Sequence, residues 1–386
     1  MNIIKNDEQY IANTYARFPL YIKRGKGSLA FDENGKEYID LSTGIAVNTF
    51  GYCDEEWKNA VIEQLNSVQH TSNLFYSKPD TILAKMLCER TGVKKVFFSN
   101  SGAEANECAI KAARKYAYEK KGEDYYTIIT LKNSFHGRTI TTLAATGQDA
   151  FHNDFLPLTS GFSYVEANNI EELEKTVSEQ KCAAIMFELV QGEGGVLPLE
   201  KEFIEKIAEL ANKHDILMIA DEVQTGNGRT GELYAYMHYG IKPDIITTAK
   251  GLGGGLPIGA TLFAEKCENV LTAGTHGSTF GGNPISCAGA VNIISRIDDN
   301  LLNEVKEKSE YIKSELSLCK GISNLTGLGL MLGFNTEKDV NEVVKECREK
   351  GVIVIKAKNK IRLLPALNIP WEQLKKAVEV IKEVNN

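Results

Sequence analysis

Two short apolar runs in the middle of the chain, each followed by one charged residue, constrain the fold most strongly. Residues 216–220 precede Asp221, and residues 244–249 precede Lys250. Apolar runs of this length between chain-breaking residues are typical of strands buried on both faces of a parallel sheet. In open α/β sheets, ligands bind in the crevice beyond the carboxyl ends of such strands. The sequence therefore predicts an α/β fold with a ligand site that contains Asp221 and Lys250.

An aspartate and a lysine at neighbouring strand ends indicate a particular cofactor. A lysine amine forms a Schiff base with the aldehyde of pyridoxal phosphate, while a carboxylate keeps the pyridine nitrogen protonated so that the ring accepts electrons. The simpler interpretation is a lysine that reaches solvent and an aspartate that caps the next helix. Four glycines between residues 251 and 255 favour the cofactor, because they let the backbone approach a ligand closely.

Composition and charge argue against several classes of protein. The 386 residues are 43% hydrophobic and 25% charged, and the net charge is -7. Without a long basic run, neither nucleic acid nor an anionic membrane is expected as a partner. The first 20 residues have no apolar signal-peptide core and no apolar stretch is long enough to span a bilayer, so a cytoplasmic protein is expected. The eight cysteines lack metal-binding spacing, and no metal is expected.

A turn of small residues before a long helical pattern predicts a phosphate site. Residues 99–103 form this turn, and residues 104–121 have the pattern of an amphipathic helix. Unpaired N–H groups at a helix N-terminus bind phosphate, and Ser101 adds a hydroxyl. A simple N-cap by Ser101 explains the turn equally well. A second turn, rich in glycine and hydroxyl groups, offers Ser278 or Thr279 as a further phosphate contact.

Loops after other predicted strands supply candidates for contacts with a ring and with a substrate. Phe135 can stack on a planar cofactor, and Arg138 can bind a carboxylate in a bidentate manner, although loop arginines are more often merely solvated. His136 is as easily structural as catalytic. Glu193 follows another predicted strand near the presumed site. Arg362 lies on a short predicted strand, and its side chain can point either to solvent or towards the site.

Eight ordered blocks resemble the class III, fold-type I pyridoxal-phosphate aminotransferases and cover nearly the whole chain. The blocks are Tyr-Ala-Arg-Phe-Pro (15–19), Gly-Ile-Ala-Val-Asn (44–48), His-Thr-Ser-Asn-Leu-Phe-Tyr (70–76), Asn-Ser-Gly-Ala-Glu-Ala-Asn-Glu (100–107), Phe-His-Gly-Arg-Thr (135–139), Ala-Asp-Glu-Val-Gln-Thr-Gly (220–226), Ala-Lys-Gly-Leu-Gly-Gly-Gly (249–255) and Gly-Ser-Thr-Phe-Gly-Gly-Asn-Pro (277–284). The resemblance implies a large domain, residues 51–284, with a mainly parallel seven-stranded sheet flanked by helices. It also implies a small α+β domain formed by residues 1–50 and 285–386.

The resemblance implies a role for each candidate residue. Lys250 would hold pyridoxal 5'-phosphate covalently, and Asp221 would contact its pyridine nitrogen. The other implied cofactor contacts are Phe135 and Val223 on the ring faces, Gln224 at the phenolic oxygen, and Ser101, Gly102, Ala103 and Thr279 at the phosphate. Thr279 would come from the partner subunit of a homodimer. Substrate contacts would come from Arg138, Glu193, Ser278 and Arg362.

The reaction implied is ping-pong transamination. A terminal amino group would pass from N-acetylornithine to 2-oxoglutarate, giving N-acetylglutamate 5-semialdehyde and glutamate, as in arginine biosynthesis. Glu193 would mask Arg362 for the donor and release it for 2-oxoglutarate. Succinyldiaminopimelate, ornithine and 4-aminobutyrate are alternative donors. Leu189 and Ala366 stand where the family pattern has proline, and these departures bear on donor specificity rather than on the reaction class.

The sequence also bears on three other classes of function. A nicotinamide or nucleoside-triphosphate enzyme would carry a glycine fingerprint after the first strand or a P-loop, and the sequence has neither. An aminomutase would share the core but act without an oxo-acid acceptor. A non-catalytic binding protein on the same fold would be expected to lose Lys250 or Asp221, and the chain keeps both.

Overall fold

The computed structural model describes residues 3–386, in which helices and strands alternate along most of the chain. The strands are β1 (Arg24–Lys26), β2 (Leu29–Phe31), β3 (Glu37–Asp40), β4 (Lys95–Ser99), β5 (Thr127–Leu131), β6 (Phe162–Val165), β7 (Cys182–Phe187), β8 (Val190–Gln191), β9 (Leu197–Pro198), β10 (Leu217–Asp221), β11 (Ile245–Thr248), β12 (Gly259–Phe263), β13 (Ile322–Leu328), β14 (Met331–Thr336), β15 (Val352–Ile353), β16 (Ile355–Ala357) and β17 (Lys360–Leu363). The helices are α1 (Ile3–Tyr10), α2 (Thr43–Ala46), α3 (Glu55–Ser67), α4 (Lys78–Thr91), α5 (Gly102–Lys121), α6 (Ile140–Ala145), α7 (Ile170–Glu179), α8 (Lys201–Lys213), α9 (Pro284–Arg296), α10 (Asp299–Ser317), α11 (Val340–Glu349) and α12 (Trp371–Asn385).

The central sheet has seven strands in the order β4-β12-β11-β10-β7-β5-β6. Only β12 runs antiparallel to its neighbours in this sheet, and the other pairs are parallel. The predicted seven-stranded, mainly parallel sheet is therefore confirmed. The two apolar runs became the adjacent strands β10 and β11, with Asp221 opposite Thr247. Asp221 is the last residue of its strand, and Lys250 follows the next strand by two residues, so both lie at the same edge of the sheet.

Each face of the central sheet is covered by its own apolar core, as alternation along the strands requires. In β5, Ile129 and Leu131 belong to the core that contains α4, α7, α8 and α9, whereas Ile128 belongs to the core that contains α5. The helix α5 fits this position because its buried face is built mostly from alanine and other small residues, which let it pack closely on β11 and β12. The site at the carboxyl edge is therefore carried by a rigid three-layer body.

Two four-stranded sheets stand apart from the central one, and β8 and β9 form a further two-stranded sheet. β1, β2 and β3 form an antiparallel meander, which β15 joins from far along the chain, and β13, β14, β17 and β16 form an antiparallel sheet. Ile39 and Leu41 share a core with residues from 305 to 384. The helix α9 packs instead on α3 and α4, in a core that includes Ile297 and also Leu302 at the start of α10. The domain limits predicted from the sequence stay a prediction, and we propose that the second one lies after Ile297 rather than at residue 285.

Some elements were not predicted from the sequence. The strand β13 was missed because part of it is exposed and its sequence includes Ser, Asn, Thr and Gly. The strand β6 and the helix α7 were also missed. The element α2 is a left-handed turn, in which Thr43, Gly44, Ile45 and Ala46 all have positive φ. Among residues 3–386, no helix combines the length and the apolar character needed to cross a membrane.

Candidate active site

A cavity of about 420 Å³ opens at the carboxyl edge of the central sheet. Its walls come from the turns that follow β4, β5, β7, β10 and β11, so the sheet order itself brings these segments together. The predicted residues that line it are Ser101, Gly102, Ala103, Phe135, Arg138, Asp221, Val223, Gln224 and Lys250. Ser278 and Thr279 are not among the lining residues of this single chain.

Asp221 is buried and fully hydrogen-bonded within the cavity wall. Its Oδ2 accepts a hydrogen bond from Asn106 Nδ2 at 2.8 Å and lies 2.7 Å from His136 Nδ1, while its Oδ1 accepts from the backbone N–H of Val223 at 3.0 Å. These contacts hold the carboxylate in one orientation. Asn106 was missed by sequence reasoning, although an asparagine on the apolar face of α5 was a detectable anomaly. His136, ambiguous in the sequence, is buried and contacts Asp221 directly.

Lys250 extends into the same cavity, and among residues 3–386 its amine makes no hydrogen bond or ion pair. Loss of hydration in the cavity lowers the pKa of Lys250, and the positive charge of Arg362 lowers it further, while Glu193 and Asp221 act in the opposite direction. The net direction is down. A neutral amine, which is the nucleophilic form, is therefore easier to obtain here than on an exposed lysine.

Glu188 lies beneath the loop that carries Phe135. One carboxylate oxygen accepts the backbone N–H of Phe135 at 2.8 Å, and the other accepts that of Gly192 at 3.3 Å. Burial raises the pKa of Glu188 to about 7, an effect that His136 opposes and Asp221 reinforces. Glu188 thus connects the segment of the aromatic residue to the segment that precedes Glu193.

Arg362 points inward to Glu193 and Gln224 rather than to solvent, although neither Arg362 nor Glu193 is among the residues that line the cavity. Its Nη1 donates to Glu193 Oε1 at 2.5 Å and to Gln224 Oε1 at 3.1 Å, and the arginine is 2% exposed. Burial by itself would raise the pKa of Glu193, but the charge and hydrogen bond of Arg362 outweigh it, and the pKa is lowered. The charged form of Glu193 is therefore favoured, and this glutamate covers the arginine.

The turn before α5 has the form expected of an anion cradle. The Ser101 hydroxyl accepts the N–H of Glu104 at 3.2 Å, so it acts as the helix N-cap. The N–H groups of Gly102 and Ala103, in the first turn of α5, make no hydrogen bond within the described residues. A Cβ on Gly102 would lie 2.6 Å from Val223 Cγ1, so only glycine lets the turn sit this close to Val223. The two free N–H groups and the helix dipole favour an anion here.

Arg138 is exposed at the mouth of the cavity. Its guanidinium lies 4.2 Å from the ring centre of Phe151 and 5.5 Å from that of Phe135. The aromatic rings hold the arginine without neutralising it, since ring faces attract a cation but carry no charge. Among residues 3–386, Arg138 has no carboxylate partner within salt-bridge distance. It is therefore available to an anionic ligand.

The turn that contains Ser278 and Thr279 lies beside the cradle, outside the cavity. The Ser278 hydroxyl accepts from Asn100 Nδ2 at 3.1 Å and from the N–H of Gly281 at 2.9 Å. Thr279 is exposed. Its role at the phosphate was expected only from a partner subunit, and that expectation stays a prediction.

Glu222, directly after Asp221, gives the site region a pH-dependent stability. It is completely buried, and burial raises its pKa to about 7 from the ordinary 4.5, although Thr225 and backbone N–H groups oppose this. Between these values the folded chain holds a proton that the unfolded chain has released, so the free energy of unfolding falls as pH rises. We expect Glu222→Gln to be more stable than wild type at pH 8, by up to about 3 kcal/mol, and not at pH 4.

Urea unfolding of both proteins at the two pH values measures this difference. Glu232→Gln is the control, because that glutamate pairs with Lys306 at the surface. An equal difference between Glu222→Gln and wild type at both pH values would show that proton binding at Glu222 is not involved.

The chain matches a family model over most of its length. The model described as aminotransferase class-III matches residues 10–384. One curated relative, acetylornithine aminotransferase from Haemophilus ducreyi, is 48% identical over 380 residues, which cover 98% of this chain and 97% of the relative.

Solved structures resemble the chain over its whole length. The ornithine aminotransferase of Toxoplasma gondii superposes with a TM-score of 0.94 at 32% identity, covering 99% of this chain and 93% of that one, and PLP partly occupies its active site. The N-acetylornithine aminotransferase of Stenotrophomonas maltophilia K279a superposes with a TM-score of 0.86 at 32% identity, covering 99% and 98% of the two chains.

Proposed function

Because the chain belongs to the class-III aminotransferase family, we propose that it uses pyridoxal phosphate to transfer the terminal amino group of N-acetylornithine to 2-oxoglutarate. The observation that carries the proposal is the placement of Lys250 and Asp221 in one cavity, beside a cradle of free N–H groups. The products would be N-acetylglutamate 5-semialdehyde and glutamate. This reaction belongs to arginine biosynthesis.

The residues that line the cavity fit the cofactor chemically. Asp221 supplies a buried carboxylate for the pyridine nitrogen, and Lys250 supplies an amine for the aldehyde. Gly102 and Ala103 supply N–H groups for the phosphate at the positive end of α5. Phe135 and Val223 both line the cavity and provide apolar surface for the ring, and Gln224 provides a polar group near them.

When bound, pyridoxal phosphate supplies an electron sink for the carbon next to the reacting nitrogen. Lys250 anchors it in the resting enzyme. The free amine of Lys250 would also move the proton at the reacting carbon of the donor. The lowered pKa of Lys250 suits both tasks, because each needs the neutral amine.

The remaining side chains orient the substrates. Asp221, held by Asn106 and His136, keeps its negative charge directed into the cavity. Arg138 at the mouth binds the α-carboxylate of the donor, far from its terminal amine.

The ion pair of Glu193 with Arg362 explains how one site accepts two substrates of different charge. Near its reacting amine, N-acetylornithine carries no carboxylate, and Glu193 covers Arg362. The oxo acid carries a carboxylate next to its reacting carbon, and this group competes with Glu193 for the arginine. Gln224 contacts both partners, with its Nε2 3.4 Å from Glu193 Oε1, and remains beside the arginine when Glu193 moves.

Among the candidate donors we propose N-acetylornithine, because a relative named for this donor is more similar in sequence to the chain than a relative named for ornithine. The acetylornithine aminotransferase of H. ducreyi is 48% identical to this chain, whereas the ornithine aminotransferase of T. gondii is 32% identical. Ornithine, 4-aminobutyrate and succinyldiaminopimelate remain the donors to compare. Leu189 and Ala366 are both buried, so their departures from the family pattern act through packing rather than through direct contact with a donor.

The visible spectrum of the purified protein tests the proposal in one cuvette. The lysine-linked cofactor absorbs at about 420 nm and its aminated form at about 330 nm. We expect N-acetylornithine alone to convert the first band into the second, and 2-oxoglutarate to restore it. A band that N-acetylornithine leaves unchanged would contradict the donor, and failure to reconstitute any band would contradict the cofactor.

Removing the charge of Glu193 is expected to change the choice of donor. In Glu193→Gln the guanidinium of Arg362 loses its charge-assisted partner and becomes available to donors with a carboxylate near the reacting amine. The ratio of half-reaction rates for N-acetylornithine and glutamate should fall roughly ten-fold. Stopped-flow spectra with each donor measure this ratio. Glu166→Gln, at a surface ion pair with Lys132, is the control, and an unchanged ratio in Glu193→Gln would contradict the switch.

A homodimer is part of the proposal, since Thr279 does not line the cavity of its own chain. Large apolar side chains next to this turn support it: Leu74 is 89% exposed, Phe75 70% and Phe280 59%. Light scattering of the purified protein should give twice the mass of one chain, and a monomer with full activity would contradict the assignment of Thr279. A cytoplasmic location is likewise proposed.

A further inference from the structure

The backbone of Lys250 has an unusual conformation. Its φ is 45°, in the left-handed region that side chains with a Cβ atom rarely adopt. Conformations of this kind persist only where the surrounding structure enforces them. Contacts on either side of Lys250 must therefore hold its backbone in place.

Asn227 holds the residue that precedes Lys250. Its side-chain Nδ2 donates to the carbonyl of Ala249 at 3.2 Å and to Thr248 Oγ1 at 3.0 Å. The asparagine is buried, and its own φ is 59°, a conformation that asparagine tolerates better than most residues. It belongs to the loop that follows Asp221, so this contact links the two strand ends of the site.

Thr49 holds the residue that follows Lys250. Its buried hydroxyl donates to the carbonyl of Gly251 at 2.7 Å. A Cβ on Gly251 would lie 2.8 Å from Thr49 Oγ1, so the glycine permits this approach. Thr49 comes three residues after the left-handed turn α2, which directs this part of the chain towards the site.

We propose that Asn227 and Thr49 are positioning residues for Lys250. Asn227 fixes the peptide plane that precedes the lysine through the carbonyl of Ala249, and Thr49 fixes the backbone one peptide beyond the lysine through the carbonyl of Gly251. Held on both sides in this way, the backbone of Lys250 keeps its left-handed φ. The direction of the Cα–Cβ bond follows from that φ, and it places the amine where the aldehyde of the cofactor is to be bound. The inference rests on the proposed function, because it takes Lys250 as the residue that bonds the cofactor.

Two forms of the cofactor separate this role from a merely structural one. Pyridoxal phosphate bonds to Lys250, whereas pyridoxamine phosphate has the same ring and phosphate but no aldehyde. We expect Thr49→Val and Asn227→Gly each to raise the Kd of full-length, cofactor-depleted protein for pyridoxal phosphate roughly five-fold, the effect of one hydrogen bond. The Kd for pyridoxamine phosphate should stay unchanged. The rate of the N-acetylornithine half-reaction should fall without a change in the donor concentration at half-saturation.

Matched variants complete the experiment. Thr49→Ser keeps the hydroxyl and should behave as wild type. Thr261→Val removes a buried hydroxyl that donates to the Ala105 carbonyl at 2.8 Å rather than to a residue beside Lys250. This variant should change neither the ratio of the Kd values for the two cofactor forms nor the rate of the half-reaction. Thermal unfolding identifies a variant that does not fold. If Thr49→Val does not fold, the Asn227→Gly variant tests the proposal, since glycine keeps the positive φ at position 227.

The outcomes distinguish this inference from the proposed function. Equal changes in the affinity for both cofactor forms, or no change for either form, would overturn the positioning role. Failure of the wild-type protein to form the lysine-linked band would instead overturn the proposed function, whatever the variants do.

Discussion

Lys250→Ala is expected to lose transamination by at least about 10⁴-fold, the upper range of what one positioned acid–base group contributes. The variant loses both the covalent anchor of the cofactor and the amine that moves the proton. Among residues 3–386, Lys250 is the one lysine that lines the cavity, so no neighbouring lysine can take over. Coupled assays with N-acetylornithine and 2-oxoglutarate measure the loss, and the band at about 420 nm should be absent from its spectrum.

Lys121→Ala is the matched control for this experiment. The Lys121 amine also has a pKa lowered by burial, but it lies at the opposite edge of the sheet, where it donates to the His214 carbonyl at 2.8 Å. We expect this variant to keep the wild-type kcat. A Lys250→Ala protein with substantial turnover and a bound, lysine-linked cofactor would refute the assignment of Lys250.

Asp221→Asn is expected to lower kcat on the order of 10³-fold, since removing one partner of a buried ion pair costs about 4 kcal/mol. The substitution keeps the shape of the side chain but removes the charge that would hold the pyridine nitrogen protonated. Asn106 Nδ2 and His136 Nδ1 both approach Oδ2, so an amide at this position must also place its oxygen towards both of them. Stopped-flow half-reactions measure the effect directly on the proton-transfer step.

Asp244→Asn is the control that distinguishes loss of the Asp221 charge from a general disruption of the strands. Asp244 lies just before β11, at the amino edge of the sheet, and its Oδ2 accepts the N–H of Met218 at 2.9 Å. An asparagine oxygen can still accept that hydrogen bond, and we expect near wild-type turnover. If Asp221→Asn were as active as Asp244→Asn, Asp221 would not be the partner of the cofactor nitrogen.

Local patterns were sufficient for the parts of the site that lie directly at strand and helix ends. The apolar runs before Asp221 and Lys250 placed both residues at one edge of a parallel sheet, because strands of a parallel sheet end on the same side. The small-residue turn before α5 predicted the cradle, although the competing functions of Ser101 stayed open. The structure assigns its hydroxyl to the helix N-cap and leaves the N–H groups of Gly102 and Ala103 for an anion.

Contacts between distant segments were beyond the reach of local patterns. His136 and Asn106 both contact Asp221, but His136 lies in a loop and Asn106 lies in helix α5. No local sequence feature of either residue indicates that Asp221 is its partner. Thr49 and Asn227 contact the residues beside Lys250 although they lie 201 and 23 positions before it in the sequence. Their hydroxyl and amide groups resemble those of many loop residues.

The resemblance to a known family implied the seven-stranded sheet, whereas the residue pattern by itself determined the fold class and the edge at which Asp221 and Lys250 meet. Periodicity and chain-breaking residues are sufficient for this, since they decide which segments become buried strands. Only the tertiary structure decided that Arg362 turns inward to Glu193 and Gln224, that Asp221 is held by His136 and Asn106, and that Lys250 has a left-handed backbone. Each of these depends on packing between segments far apart in the chain, where the energy of a contact is set by the position of both partners.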